Sequence, residues 1–316
     1  MINSYFAWFA DLSTADVALA GGKGASLGEM TKAGIPVPPG FVVLTNAFDQ
    51  FMVTTGIGEM IDQELAELSP QNLAEVEVVS EKLRTAILKA PFPLELQKTI
   101  QEAFTFLNSP CVAVRSSATA EDGVGASWAG ELESFLYVDQ SGLLQKVQEC
   151  WTSLFTPRAI CYRFEKGFLG KNVSVAVVVQ KMVNAKVSGI AFSVHPVSQN
   201  PNHLIIEAGY GLGEAIVSGS VTPDSYVVAK SNLSIVDAYI AQQERRLIRA
   251  DLGGSRWEHI PKSLQEVQKL SNDQILELAK IILTIEAHYG FPCDIEWALE
   301  SDAFSIVQSR PITTLG

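Results

Sequence analysis

Asp294-Ile295-Glu296-Trp297-Ala298-Leu299 and Phe304-Ser305-Ile306-Val307-Gln308-Ser309-Arg310-Pro311 are the two runs whose reading decides the fold. Between them lies Glu300-Ser301-Asp302-Ala303, a short polar turn. Alternation in the first run puts Asp294 and Glu296 on one face and Ile295 and Trp297 on the other. In the second run it puts Phe304, Ile306, Gln308 and Arg310 on one face. Two such runs joined by a short turn predict an antiparallel hairpin. The hairpin gathers two carboxylates, an amide and a guanidinium at one end. Carboxylate and amide oxygens are hard ligands of the kind Mg²⁺ takes together with phosphate oxygens and waters. A nearby Arg suits a phosphoryl group whose charge is redistributing. On its own, the hairpin reads first as a surface element with solvated charges.

Working outward, the 316 residues suffice for a large core and more than one lobe. The net charge of −12 makes the chain a poor partner for nucleic acid or an anionic membrane. Cys111, Cys150, Cys161 and Cys293 form no CxxC pair, so zinc is not expected and reduced thiols in a cytoplasmic protein are. The first 13 residues lack the basic start of a signal peptide. Apolar runs such as Val175 to Val179 are too short to span a bilayer.

Residues 20–34 predict a glycine turn leading into a short helix, with Gly34 at the position after its end. Pro36, Pro38, Pro39 and Gly40 predict a stiff turn before a strand at Phe41–Leu44, after which Thr45 or Asn46 can cap a helix. Residues 58–107 read as mostly helical. Cys111 to Arg115 reads as a buried strand, Ser116 to Gly130 as a polar glycine-rich loop, Ser134 to Val138 as a strand and 141–168 as a helix pair. Strands follow at Val173–Val183, Ser188–Val194, Leu204–Glu207, Ser225–Val228 and Leu233–Ile240. A glycine turn is expected at Gly209–Gly213. Residues 241–262 read as charged and irregular. Ser271 and Gln274 form a capping box for a helix to about His288, closed by Gly290. Helices and strands without strict βαβ alternation predict an α+β fold.

Single motifs are weak. Gly22-Lys23-Gly24 is not a Walker A loop, though a lysine between glycines can reach a phosphate. Arg115 beside Ser116, Ser117 and Thr119 makes either an oxyanion cradle or a strand-end arginine paired with Glu121 or Asp122. None of His195, His203, His259 and His288 has the context of a phosphoryl acceptor.

The set, however, has an order. Gly21-Gly22-Lys23-Gly24-Ala25-Ser26-Leu27-Gly28-Glu29-Met30 precedes Val37-Pro38-Pro39-Gly40-Phe41. Then come Ala113-Val114-Arg115-Ser116-Ser117-Ala118-Thr119-Ala120-Glu121-Asp122, Ala126-Ser127-Trp128-Ala129-Gly130, Gly211-Leu212-Gly213-Glu214, Asp294-Ile295-Glu296-Trp297 and Gln308-Ser309-Arg310-Pro311. This resembles the ATP-binding domain of the phosphoenolpyruvate synthase and pyruvate phosphate dikinase family, which includes rifampicin phosphotransferase. The resemblance covers nearly the whole chain. It implies a two-lobed ATP-grasp fold with mixed or antiparallel sheets and flanking helices. The N-terminal lobe would be 1–180, with a helical insertion at about 58–107, and the C-terminal lobe 181–316. It implies that Lys23 and Arg115 hold phosphates, with Ser116, Thr119 and Gly130 in the same loop region, and that Gln180-Lys181-Met182-Val183 borders adenine. It implies that Glu296 and Gln308, with Asp294, position Mg²⁺, and that Arg310 acts on the transferred phosphoryl group.

The expected reaction passes the β-phosphoryl of Mg-ATP to a histidine, leaving AMP and phosphate. That histidine belongs to a swivelling domain that this sequence does not contain, so a separate domain or subunit is the expected partner. The final acceptor is pyruvate, or alternatively a rifamycin-type antibiotic; a nucleotide sensor without transfer is the rival of a different class. Trp128 and Glu131 depart from the Phe and Gln usual in the synthase and rifampicin branches, and a carboxylate at 131 near phosphates must be paired or point away.

Overall fold

The computed structural model describes residues 4–119, 133–165, 174–251 and 253–312. Gly130, Trp128 and Glu131, the expected strand start at Val173 and the tail of the 141–168 helix pair lie outside the described residues. The chain divides into two compact units, Met1–Glu29 with Pro39–Met182, and Met30–Pro38 with Val183–Gly316. Both mix helices with antiparallel sheet, the α+β class expected.

The first unit contains, in chain order, β1 (Phe6–Trp8), α1 (Val17–Lys32, of which residues 17–29 belong here), β2 (Gly40–Val43), α2 (Thr45–Thr55), α3 (Ile57–Glu67), α4 (Leu73–Lys89) and α5 (Leu94–Leu107). Then follow β3 (Val112–Ala118), β4 (Ser134–Val138), α6 (Leu143–Thr152), α7 (Pro157–Glu165) and β5 (Val175–Lys181). The five strands form one antiparallel sheet in the order β1-β2-β5-β3-β4.

Alternation splits this sheet into two faces. Phe41, Val43, Val112, Val114, Val175, Val177 and Val179 point into the core under α2–α7. There α4 buries Val76, Val79, Leu83 and Ile87, the three-and-four spacing of one helix face. Trp151, fully buried, packs on Phe48, Phe51 and Phe92 with ring centroids 4.9 to 5.9 Å away. Each such side chain contributes roughly 1.5–3 kcal/mol by leaving water. The opposite face carries Val42, Ala113, Arg115, Ser117, Val178 and Gln180, paired as Val42↔Val178, Ala113↔Gln180 and Arg115↔Val178.

The glycine turn leads into a helix as expected: Gly21 (φ 68°, ψ 172°) is non-helical, and a short helical stretch from Val17 precedes it. One local expectation is corrected here. Neither Thr45 nor Asn46 caps α2: Thr45 is already helical, and its hydroxyl donates to the Ala18 carbonyl at 3.2 Å.

The second unit contains β6 (Val187–Phe192), β7 (His203–Tyr210), α8 (Glu214–Val217), β8 (Asp224–Ala229), β9 (Ser234–Tyr239), β10 (Arg245–Arg249), β11 (Ser255–His259), α9 (Asn272–Tyr289), β12 (Cys293–Glu300) and β13 (Ala303–Pro311). Six strands form an antiparallel sheet, β13-β12-β6-β7-β8-β9, with α9 against it. The Ser271–Gln274 box opens α9, and Gly290 (φ 74°) closes it. Pro36 of the proline turn accepts from the Ile306 amide at 2.8 Å, which ties 30–38 to β13. Asp224, wholly buried, accepts from Tyr226 Oη at 2.6 Å, Lys269 Nζ at 2.8 Å and the amides of Ala241 and Lys269 at 2.9 Å. A buried charge persists only with such full pairing.

Residues 241–262 are not irregular as expected. Arg245–Arg249 pairs with Ser255–His259 in a hairpin, turned at Gly253 and Gly254 with φ of 93° and 71°. The charges that hid these strands face one another across the ladder: Glu258 accepts from Arg246 Nη2 at 2.6 Å.

Candidate functional site

In the first unit the expected residues collect around β3 and its neighbours. Lys23 stands in the first turn after the Gly21 break and is half-buried. A Cβ on Gly24 would come within 2.9 Å of Val42 Cγ2, so this part of α1 lies directly on the sheet face that carries Arg115 and Gln180. Arg115 is 9% and Gln180 2% exposed. Ser116 points the other way along the strand, and its hydroxyl donates to the Glu133 carbonyl at 3.2 Å. The Thr119 hydroxyl donates to the Ser174 carbonyl at 3.4 Å. Lys181 ends β5, its amide donating to the Pro39 carbonyl at 2.8 Å, and the Met182 amide donates to the Cys111 carbonyl. Val183 begins the longer segment of the second unit.

In the second unit the β12–β13 register decides what the hairpin presents. Asp294 pairs with Arg310, Ile295 with Ser309 and Glu296 with Gln308; the next pair is Trp297 with Ile306. The register shifts between Glu296 and Trp297, with Val307 the extra residue of a bulge on β13. Directly paired residues share a face. The extra residue therefore reverses the alternation, and this corrects the sequence-based assignment. Phe304 and Ile306 join Trp297 and Leu299 on the apolar face, while Gln308 and Arg310 join Glu296 and Asp294 on the polar one. A strict two-residue period through Phe304 and Ile306 would have put the amide and guanidinium on the apolar face, away from the carboxylates.

Electrostatics on this face follow from the pairing. Asp294 Oδ2 accepts from Arg310 Nε at 2.9 Å and Nη2 at 2.8 Å. The Asp294 side chain is 13% exposed and that of Arg310 is 44%. Burial raises the Asp294 carboxyl above its usual range; the Arg310 charge and hydrogen bond oppose this, and the Glu296 charge adds to it. A third carboxylate joins them. Glu296 lies opposite Ile190, and Ile190 lies opposite Glu207 on β7, so Glu207 shares the face two strands away, about 10 Å by strand spacing. Burial, and then the Asp294 charge, raises its carboxyl too. Sequence reasoning passed over Glu207; the available signal was a single charge inside the apolar run Leu204–Ala208.

These donors fit Mg²⁺. Two carboxylates and an amide on one face, with like charges that a cation relieves, are what this ion takes alongside phosphate and water. Among the described residues, no three His, Cys, Asp or Glu side chains stand close enough to hold a metal by themselves. Of the histidines, His195 Nδ1 accepts from the amides of Val197 and Ser198 at 3.3 Å, and His203 bonds Asn200 at 3.3 Å. Both are engaged in local turns.

Comparison with known families decides the class. The profile of the pyruvate phosphate dikinase, AMP/ATP-binding domain matches residues 17–316. The chain belongs to that family. A probable phosphoenolpyruvate synthase of Methanocaldococcus jannaschii is 47% identical over 98% of this chain and 27% of its own length. The phosphoenolpyruvate synthase of Pyrococcus furiosus is 41% identical over 100% of this chain and 44% of its own length. A rifampicin phosphotransferase of Bacillus cereus is 39% identical over 99% and 36%. The chain thus spans less than half the length of these relatives. Among the described residues, no helix is long and apolar enough to cross a membrane.

Proposed function

We propose that this pyruvate phosphate dikinase-type domain is an ATP-grasp unit that binds Mg-ATP and passes a phosphoryl group to a histidine on another domain or chain, with pyruvate the final acceptor. The observation that carries the reading is the bulged hairpin, which sets Asp294, Glu296, Gln308 and Arg310 on one face. In this reading Lys23 and Arg115 hold phosphates near Ser116, Thr119 and Gly130, and Gln180 to Val183 borders the base. Asp294, Glu296 and Gln308 would hold Mg²⁺, which when bound neutralises phosphate charge. Arg310, oriented by Asp294, stabilises the charge of the phosphoryl group in transfer. The antibiotic acceptor is the second reading, supported by the Bacillus cereus relative. The presence of Lys23, Arg115, Glu296, Gln308 and Arg310 together favours transfer over sensing.

Amide exchange tests whether the two groups of residues serve one nucleotide. Saturating Mg-ATP slows exchange both in residues 20–28 with 112–118 and in residues 293–311. Protection confined to one group, or none at millimolar nucleotide, overturns the reading.

A second test addresses the metal. Glu296→Ala weakens Mg²⁺-dependent ATP binding at least about 10-fold, by comparison with supporting residues of metal sites. The residue lies on the polar face, so truncation opens no core cavity and the melting temperature holds. A large fall in melting temperature with unchanged metal dependence would make Glu296 structural.

A further inference from the structure

The break in α1 at Gly21 makes a new helix start inside the element. A helix start normally receives a side-chain oxygen from its own capping residue, which accepts the amide of the second or third helical position. Here the capping residue is Gly21, which has no side chain, and the third position is Gly24. The missing oxygen comes from β3. Ser117 Oγ accepts from the Gly24 amide at 3.2 Å and donates to the Ala20 carbonyl at 2.9 Å, so one hydroxyl serves both ends of the break. Ser117 is fully buried. The approach is close: a Cβ on Gly21 would fall 2.2 Å from the Ser117 carbonyl oxygen and 2.3 Å from its hydroxyl.

Lys23 lies between the two bonded groups, and Arg115 lies two residues before Ser117 on the same face of β3. We propose that Ser117 is a positioning residue: its hydroxyl locks the turn that bears Lys23 onto the strand that bears Arg115, and so sets the spacing of the two phosphate-holding cations. This rests on the reading that Lys23 and Arg115 hold the phosphates. Only a group that both donates and accepts can fill the position. Alanine removes the bonds to the Gly24 amide and the Ala20 carbonyl and frees the turn to shift, and misplacement of a binding group by a fraction of its reach is enough to lose its contact.

The test is a double-mutant cycle on the full chain, with the dissociation constant of Mg-ATP measured by calorimetry. Ser117→Ala weakens binding about 10-fold, the scale of a lost cap that also displaces a cation. Lys23→Ala weakens it further, and the double variant is no worse than Lys23→Ala, because Ser117 acts through that lysine. Losses that add in the double variant, or parent-like binding by Ser117→Ala, overturn the proposal. Parent-like binding by Lys23→Ala overturns the phosphate-holding reading itself, and this inference with it. Ser117→Cys, which keeps the volume and weakens both bonds, carries the same cycle if the alanine variant does not fold.

Discussion

Mixed with the histidine-bearing swivelling domain of a related phosphoenolpyruvate synthase, the chain forms AMP from ATP at least about 100-fold faster than it does alone, because an aligned acceptor replaces a poorly placed water. A phosphoryl group moves only to a nucleophile in line with the leaving group. This chain offers four histidines, and their positions do not suit that task. His195 and His203 are engaged in local turns, His259 ends β11, and His288 lies in the last turn of α9 beside Tyr289. In the proposed reading Arg310 stabilises charge, but without an aligned nucleophile most of the barrier stands. AMP and phosphate release, measured for the chain alone and then with the added domain, reads the difference. Rapid AMP formation by the chain alone, abolished by Arg310→Ala, would refute the need for a partner and make this a self-sufficient hydrolase.

Much of the fold was legible in the sequence because burial imposes a period. The runs at Val112–Arg115 and Val175–Val179 are buried strands, and the Ser271–Gln274 box marks where α9 begins. The α+β class followed from the mixture. What stayed hidden has local physical causes. The β10–β11 strands carry their charges in cross-strand pairs, so neither run shows an apolar face to a reader of one strand at a time. Gly21 breaks a helix that continues on both sides, and the reason it can do so is a serine 96 positions away, whose hydroxyl is bonded across the break. Glu207 belongs to the acidic face only through pairings that run across Ile190. For the candidate site, residue types and order suggested the chemistry, but the spacing within β13 pointed to the wrong face. An inserted residue leaves no mark in composition or periodicity; it is visible only against the partner strand.

That bulge makes the strongest prediction about the site. With Val307 deleted, Gln308 follows Ile306 directly, and alternation from Phe304 and Ile306 on the apolar face puts Gln308 and Arg310 on the polar one. One-to-one pairing then keeps Gln308 opposite Glu296 and Arg310 opposite Asp294, so the deletion removes the bulge and leaves the polar group together. The opposite change breaks the group. One residue inserted after Val307 and taken up by regular pairing slides the end of the strand, sets Gln308 opposite Asp294 and carries Arg310 beyond it. Asp294 then loses both bonds from Arg310, and Glu296 loses Gln308 from the position opposite it. Sliding the start of the strand instead, to keep the polar group in register, displaces Phe304 and Ile306, now 6% and 0% exposed, at roughly 1.5–3 kcal/mol each. Mg-ATP binding therefore stays near the parent's in the deletion and falls at least about 100-fold in the insertion, the scale on which one transition-state or metal-side contact is removed. Parent-like Mg-ATP binding by the insertion, measured by calorimetry on a protein whose circular dichroism matches the parent, or an equal loss in the deletion, would show that the pairing of these residues does not set binding.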